Sequence, residues 1–291
     1  MEKRLKSRLQ GNELIALEKR LAEYEGEDRM ISSVEMAEIL KNEPAANFSF
    51  PTGIPPIDTM LNNVESGELV IVAGRTGEGK TSLMLTITKN MADKVKSAWF
   101  SFEITPRQFF TKFDFLPPLF YVPRKFTDNT IFWLEERILE AVVKYDAKMI
   151  FVDDLHHLVS LARVQGNISF EIGDVVAKLK EIAVLNNIVI FLQAHVKDPQ
   201  DSTTREPLIS DIRDSGLIKS FADSVFGIWR VPNDEITEKG KRSRLRETFD
   251  EDVKAKVRVW KNRRNGKLGS FYLKMVDGFF ENKYDKDGYP N

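Results

Sequence analysis

The sequence predicts an α/β protein built on a mostly parallel central sheet, with an antiparallel hairpin near its C-terminal end and a short helical extension before it. Three observations carry this. The stretch Glu68 to Leu85, ELVIVAGRTGEGKTSLML, joins the apolar run Leu69 to Val72 to a glycine-bearing loop and then to a helix start. Further apolar runs at 97–102, 148–152, 188–192 and 224–229 alternate with helical patterns, as strands do when crossover helices connect them in parallel. Finally the runs 253–260 and 268–276 flank Asn265-Gly266, a turn signal for antiparallel pairing.

Composition narrows the class. The chain has 291 residues, 42% hydrophobic and 30% charged, ordinary for a globular protein. With 43 basic and 44 acidic residues the net charge is −1, so any nucleic-acid contact must come from local placement of charge. The absence of cysteine excludes disulfides and thiolate metal sites. There is no apolar run of the roughly 18 residues that span a bilayer, and MEKRLKSRLQ lacks the apolar stretch of a signal peptide. The expectation is a soluble protein of the cytoplasm (the host's, if the chain is phage-encoded), with no membrane partner.

Residues 1–47 read as a helical extension and 48–291 as the main domain. Leu14, Leu17, Leu21 and Tyr24 recur at helical spacing. Ser32 and Glu35 have capping-box spacing ahead of the narrow stripe Met36, Ile39 and Leu40. So short a helix is not stable alone; it must dock, on its own domain or on a neighbouring subunit. Residues 42–51 read as a linker. In the main domain, 57–61 suggests a short helix, and 131–145 and 170–185 longer ones. The latter turns Ile172, Val175, Val176, Leu179, Ile182 and Ala183 inward. The polar stretch 233–252 reads as a surface loop.

The chemistry centres on G-x-x-x-x-G-K-T, Gly74-Arg75-Thr76-Gly77-Glu78-Gly79-Lys80-Thr81, followed by Ser82. Glycines let backbone N–H groups approach phosphate oxygens, and the helix start adds further donors and the positive end of its dipole. Lys80 supplies a charge for the β- and γ-phosphates, and the Thr81 hydroxyl can ligate Mg²⁺. This is a site for ATP or another nucleoside triphosphate. Parallel strands deliver their C-terminal ends to the same side. Asp153, ending MIFV, is therefore the Mg²⁺-side carboxylate in preference to its neighbour Asp154, and Glu103, after WFSF, can polarise an attacking water. His195 is expected three residues beyond the strand 188–192; it or Gln193 could hydrogen-bond the γ-phosphate. His156-His157 lack metal-pair spacing. The basic run 261–264 precedes the hairpin turn and could serve another subunit's nucleotide. The run Lys239 to Arg246 reads as a solvated loop. Ile209 to Gly216 combines small hydroxyls, a cation and a glycine, suited to a nucleic-acid backbone but equally to an ordinary turn.

FPTGIPPIDTML, FSFEITPRQF, MIFVDDLHHL, HVKDP, REPLISDIRDSG and VWKNRRNGKLG occur in the order found in DnaB-like ring helicases. From about Phe50 to Phe280 the chain resembles the RecA-like motor domain of that family, and HVKDP is closer in form to phage primase–helicases and Twinkle. The resemblance implies a ring, hexameric in form, that hydrolyses NTP with Mg²⁺, pulls single-stranded DNA and unwinds duplex, with a separate primase as partner. It implies roles for Lys80 and Thr81 on phosphate and Mg²⁺, Asp153 at the metal, Glu103 as base and His195 as γ-phosphate sensor. Lys261 and Arg263 match the finger pair that enters a neighbour's site, with Arg264 one residue away. Arg213, Asp214 and Gly216 match the loop that follows single-stranded DNA, and 33–42 the subunit-linking helix. The loop after Asp153 lacks the family's basic cluster. Competing readings are a filament-forming single-strand-binding ATPase of RecA type and a low-turnover nucleotide-dependent accessory protein; Glu103 and a finger pair count against the second.

Overall fold

The computed structural model describes residues 11–26, 29–42, 48–113, 120–123, 131–155, 168–197, 206–212, 215–231 and 254–283. It divides into two compact units, Met1–Ala46 and Asn47–Asn291. The first holds α1 (Gly11–Ala22) and α2 (Ser33–Asn42). Glu35 N donates to Ser32 Oγ at 3.1 Å, so Ser32 caps α2. The Glu35 side chain does not complete the box. It pairs with Arg29, whose hydrogen bond holds the Glu35 carboxyl below the usual carboxylate range. Val34, Met36, Ile39 and Leu40 of α2 are exposed.

In the second unit a small sheet of β1 (Ser49–Phe50) and β2 (Val64–Glu65) brackets α3 (Pro55–Leu61). Proline suits the first turn of α3, where no N–H is needed, and Asn62 ends it in the left-handed region at φ 56. There follow β3 (Leu69–Gly74), α4 (Lys80–Met91), β4 (Ser97–Ser101), α5 (Pro106–Phe110), β5 (Phe120–Tyr121), α6 (Ile131–Tyr145), β6 (Met149–Asp153) and α7 (Ile168–Leu185). After these come β7 (Val189–His195), a 3₁₀ turn at 209–211, α8 (Ser215–Phe221), β8 (Ser224–Val231), β9 (Lys254–Asn262), β10 (Gly269–Val276) and β11 (Phe279–Glu281).

The main sheet has nine strands in the order β11-β10-β9-β8-β3-β7-β6-β4-β5. From β8 to β5 all neighbours are parallel, and β9 to β11 add antiparallel strands at one edge. One sequence expectation needs correction, and several elements went unanticipated. His195 closes β7 itself, because pairing with β3 continues to Gly74↔His195. The hairpin is extended by β11, which pairs with β10 after a turn at Asp277-Gly278. The capped helix α5, with its Thr105–Gln108 box, and the short strands β1, β2 and β5 carried too little periodicity to be anticipated.

Strand β3 is buried on both faces, and that makes two cores. Leu69, Ile71 and Ala73 face α6 and α7, where the inward set of α7 packs as its spacing predicts. Val70 and Val72 face α4 through Leu83, Met84 and Ile87, with the inner side of the hairpin (Ala255, Val257, Val259, Phe271, Leu273) closing the same layer. Trp99, Phe151 and Phe191 stack across three parallel strands with centroids 4.8 and 5.0 Å apart, and Trp99 Nε1 donates to Thr88 Oγ1 at 2.9 Å. In β8, Gly227 leaves room for the Trp260 ring: a Cβ there would lie 2.2 Å from the ring's nearest atom. Gly227→Ala is therefore expected to destabilise the second unit by about 1–3 kcal/mol through overpacking, measured by urea unfolding. An unchanged midpoint would show that Trp260 can move at no cost.

Candidate functional site

The phosphate loop runs from the C-terminal end of β3 to the start of α4. Gly77 and Gly79 have φ of 80° and 104°, a region open to glycine at little cost. A Cβ on Gly79 would also approach the Phe280 ring to 2.7 Å, so β11 packs directly behind the loop. From the front, the Glu78 carboxylate accepts from Arg230 N of β8. Lys80 is buried, with Nζ donating to Arg75 O at 2.9 Å and lying 3.5 Å from His195 Nδ1. Burial pushes the Lys80 ammonium below its usual value, opposed by the carboxylates of Asp153, Glu103, Asp154 and Glu78.

Three further strands bring their ends to this loop. Thr81 Oγ1, in the first turn of α4, lies 3.0 Å from Asp153 Oδ2 on β6 and 3.1 Å from Gln193 Oε1 on β7. The hydroxyl has one proton for two acceptors, and its lone pairs remain available to a cation. Asp153 Oδ1 is buried without a hydrogen-bond partner among the described residues. Burial raises the Asp153 carboxyl from 3.8 to about 6; the Glu103 and Asp154 charges add to this, while the Thr81 hydrogen bond and Lys80 oppose it. An orphaned carboxylate oxygen beside a threonine hydroxyl is the hard-oxygen set that Mg²⁺ takes, so the residues present fit that ion. Asp154, also fully buried, lies 2.5 Å from His195 Nε2 through its Oδ2. Glu103, two residues beyond the end of β4, is exposed, and its carboxylate, the Asp154 carboxylate and the His195 ring have atoms within 4.8 Å of one another.

Lys80, Thr81, Asp153, Glu103 and His195 are thus brought together. Gln193 is turned to Thr81, and Asp154, which sequence reasoning placed to the side, is instead held at His195. The residues expected as a finger pair, Lys261 and Arg263, are elsewhere. Asp223, just before β8, accepts from Leu69 N at the N-terminal end of β3, and Arg263 NH1 lies 3.5 Å from the same carboxylate. Gly74 stands at the other end of β3, roughly 16 Å away at about 3.3 Å per residue. Lys261 is not an exposed tip residue: its Nζ donates to Lys219 O and, at 2.6 Å, to Ala222 O. Arg264 is tied to Glu65, Glu68 and Asn63 O. Of the residues expected to follow single-stranded DNA, Gly216 is exposed on α8. Arg213 and Asp214 lie outside the described residues, as do His156, His157, Arg163 and the run 239–246. Sequence reasoning missed the Glu78 and Phe280 supports, whose partners lie far away in the chain.

This geometry is accompanied by a family match. The model of the DnaB-like helicase C-terminal domain matches residues 49–114 and 124–283. The chain belongs to that family. It is 27% identical over 283 residues to the replicative DNA helicase DnaB of Mycoplasma pneumoniae, covering 82% of this chain and 58% of that protein. To the replicative DNA helicase DnaC of Bacillus subtilis it is 25% identical over 300 residues, covering 90% and 63%. The chain thus spans less than two thirds of the length of these relatives. Among solved structures, the fold is shared with a DnaB-like replicative helicase described with its interactions with primase (TM-score 0.65, 19% identity, 92% of this chain and 70% of that one). It is shared too with a structure described as an ATPase domain (TM-score 0.65, 18% identity, 86% and 96%). Among the described residues no helix is long and apolar enough to cross a membrane.

A raised carboxyl has a consequence for stability. The folded chain holds a proton on Asp153 between pH 3.8 and about 6 that the unfolded chain has released. Stability from this group is therefore gained on acidification and lost as pH rises through about 6. Asp153→Asn is expected to melt several degrees above the unsubstituted chain at pH 7 without ligand, an effect of at most about 3 kcal/mol, and the gap should narrow at pH 5. The same variant should bind nucleotide with Mg²⁺ at least about tenfold more weakly. Melting curves at both pH values, with and without Mg²⁺ and nucleotide, check both halves.

Proposed function

We propose that this chain is the motor of an NTP-driven DNA helicase: copies form a ring, hexameric in form, that pulls single-stranded DNA and parts duplex in the cytoplasm, with a separate primase as partner. The observation that carries the reading is the division of the site. One end of β3 holds a phosphate loop with its carboxylates, and the other holds the Arg263 guanidinium, whose side chain is 55% exposed. Within one chain they cannot meet, so a complete site needs a second copy. The exposed stripe of α2 is what a subunit-linking helix would present to that copy.

In this reading the loop N–H groups and Lys80 hold the β- and γ-phosphates. Thr81 and Asp153 Oδ1 would hold Mg²⁺, which when bound supplies positive charge to the phosphate oxygens. Glu103 accepts a proton from the water that attacks the γ-phosphate, as charge develops on the departing nucleoside diphosphate. His195 lies between Lys80 and Asp154, where it can register whether the γ-phosphate is attached. Arg263 of the neighbouring copy stabilises the developing charge. Gly216, with Arg213 and Asp214, would touch the DNA backbone.

Two outcomes test this. Glu103→Gln should bind nucleotide with near-native affinity while single-turnover hydrolysis falls by about 10²-fold or more; a near-native rate would assign the base to another residue. Arg263→Ala and Lys80→Ala should each be inactive, yet mixing them should restore part of the hydrolysis, since some interfaces then pair an intact loop with an intact finger. Loss of such a finger typically lowers the rate by about 10³-fold or more. Co-assembled mixtures that stay inactive at every ratio would remove the shared site. Arg264→Ala, which removes the pairs with Glu65 and Glu68, should lower thermal stability without this complementation.

A further inference from the structure

The Arg263 finger has a support that no motif marks. Asp223 sits between α8 and β8, is 8% exposed and is engaged on every side. Its Oδ2 accepts from Leu69 N at 2.9 Å and from Lys180 Nζ of α7 at 2.6 Å. Its Oδ1 faces Arg263 NH1 at 3.5 Å. Its backbone joins the same junction: Asp223 N donates to Leu69 O and Arg263 N donates to Asp223 O, at 2.9 and 2.8 Å. Lys180 Nζ is itself anchored on Gly67 O at 2.7 Å. One carboxylate therefore binds the foot of β3 and the last turns of α7 to the residue that carries the finger.

Around it lie three cations. Lys261 caps the carbonyls of Lys219 and Ala222 at the end of α8, and Arg263 NH2 donates to Ser220 O in the same stretch at 3.2 Å. Lys180 is the third. Asp223 is the anion that Lys180 and Arg263 face directly, while Glu68, the other carboxylate of this corner, pairs with Arg264. Burial, with the Arg263 and Lys180 charges, pushes Lys261 below its usual value, and Asp223 works against that shift. Without the Asp223 charge, three like charges would crowd one corner, and Arg263, the most exposed of them, would be the one to swing away.

We propose that Asp223 is a positioning residue for turnover, holding Arg263 oriented toward the neighbouring copy's nucleotide. This rests on the shared site proposed above. A residue that acts through Arg263 has a signature that a merely structural residue lacks: once Arg263 is gone, its own substitution should have nothing more to remove.

The test measures single-strand-stimulated hydrolysis by assembled rings of the chain, its Asp223→Asn, Arg263→Ala and doubly substituted forms, together with fluorescent-nucleotide affinity and melting temperature. Expected are a kcat for Asp223→Asn lower by at least about tenfold, KM and nucleotide affinity within about twofold, and a double variant no slower than Arg263→Ala. Asp223→Glu, which keeps the charge and displaces it by one methylene, should recover part of the loss. If Asp223→Asn does not fold, the same comparison with Asp223→Glu decides, at a smaller expected loss. Additive losses in the double variant, or a native kcat in the single one, overturn the positioning role while the shared site stands. Native turnover by Arg263→Ala overturns both.

Discussion

Strand β3 is hydrogen-bonded in parallel on both sides, to β7 and to β8, and both of its faces are buried. A one-residue slip of such a strand would exchange the side chains of its two faces between the two cores and mispack both at once. Charged groups must then sit beyond its ends. At the C-terminal end Gly74 opens the phosphate loop, and β6 and β7 deliver Asp153, Asp154, Gln193 and His195 beside it. At the N-terminal end Glu68, Asp223, Lys180, Arg263 and Arg264 form a separate ionic cluster. The length of the strand keeps the two clusters from neutralising each other.

Inside the phosphate-loop cluster, burial works against both signs of charge. The Lys80 ammonium is pushed down and the Asp153 carboxyl up, and each partly relieves the other. An arriving polyanion favours the charged lysine, and an arriving dication favours the charged aspartate. The two shifts that make the unliganded site costly therefore become part of what binding returns. Glu103 differs from the rest in being exposed.

The basic run before the hairpin turn shows how strongly the opposite surface decides what a charge does. Lys261 is consumed by carbonyls at the end of α8, where a cation also suits the helix dipole. Arg264 turns the other way and is bound by Glu65, Glu68 and the carbonyls of Asn62 and Asn63 just after α3. Only Arg263 of the arginine pair keeps more than half of its side chain exposed. Neighbouring residues of like charge end in different environments because β9 alternates its faces and then turns.

The strand, loop and helix start around Gly74 to Thr81 were determined by the sequence alone, because that chemistry is contained in one short stretch whose spacing is its geometry. The Ser32 cap, the inward face of α7 and the hairpin at Asn265-Gly266 were legible for the same reason. What surrounds the phosphate loop was decided by tertiary structure. Thr81 meets Gln193 across 112 residues, Lys80 meets His195 across 115, and Glu78 meets Arg230 across 152. Local periodicity can identify β7 as a strand, but not its place beside β3, and that pairing is what ends β7 at His195. The same order of strands puts Asp223 under β3 and leaves Arg263 facing outward, which no count of charges along the chain contains.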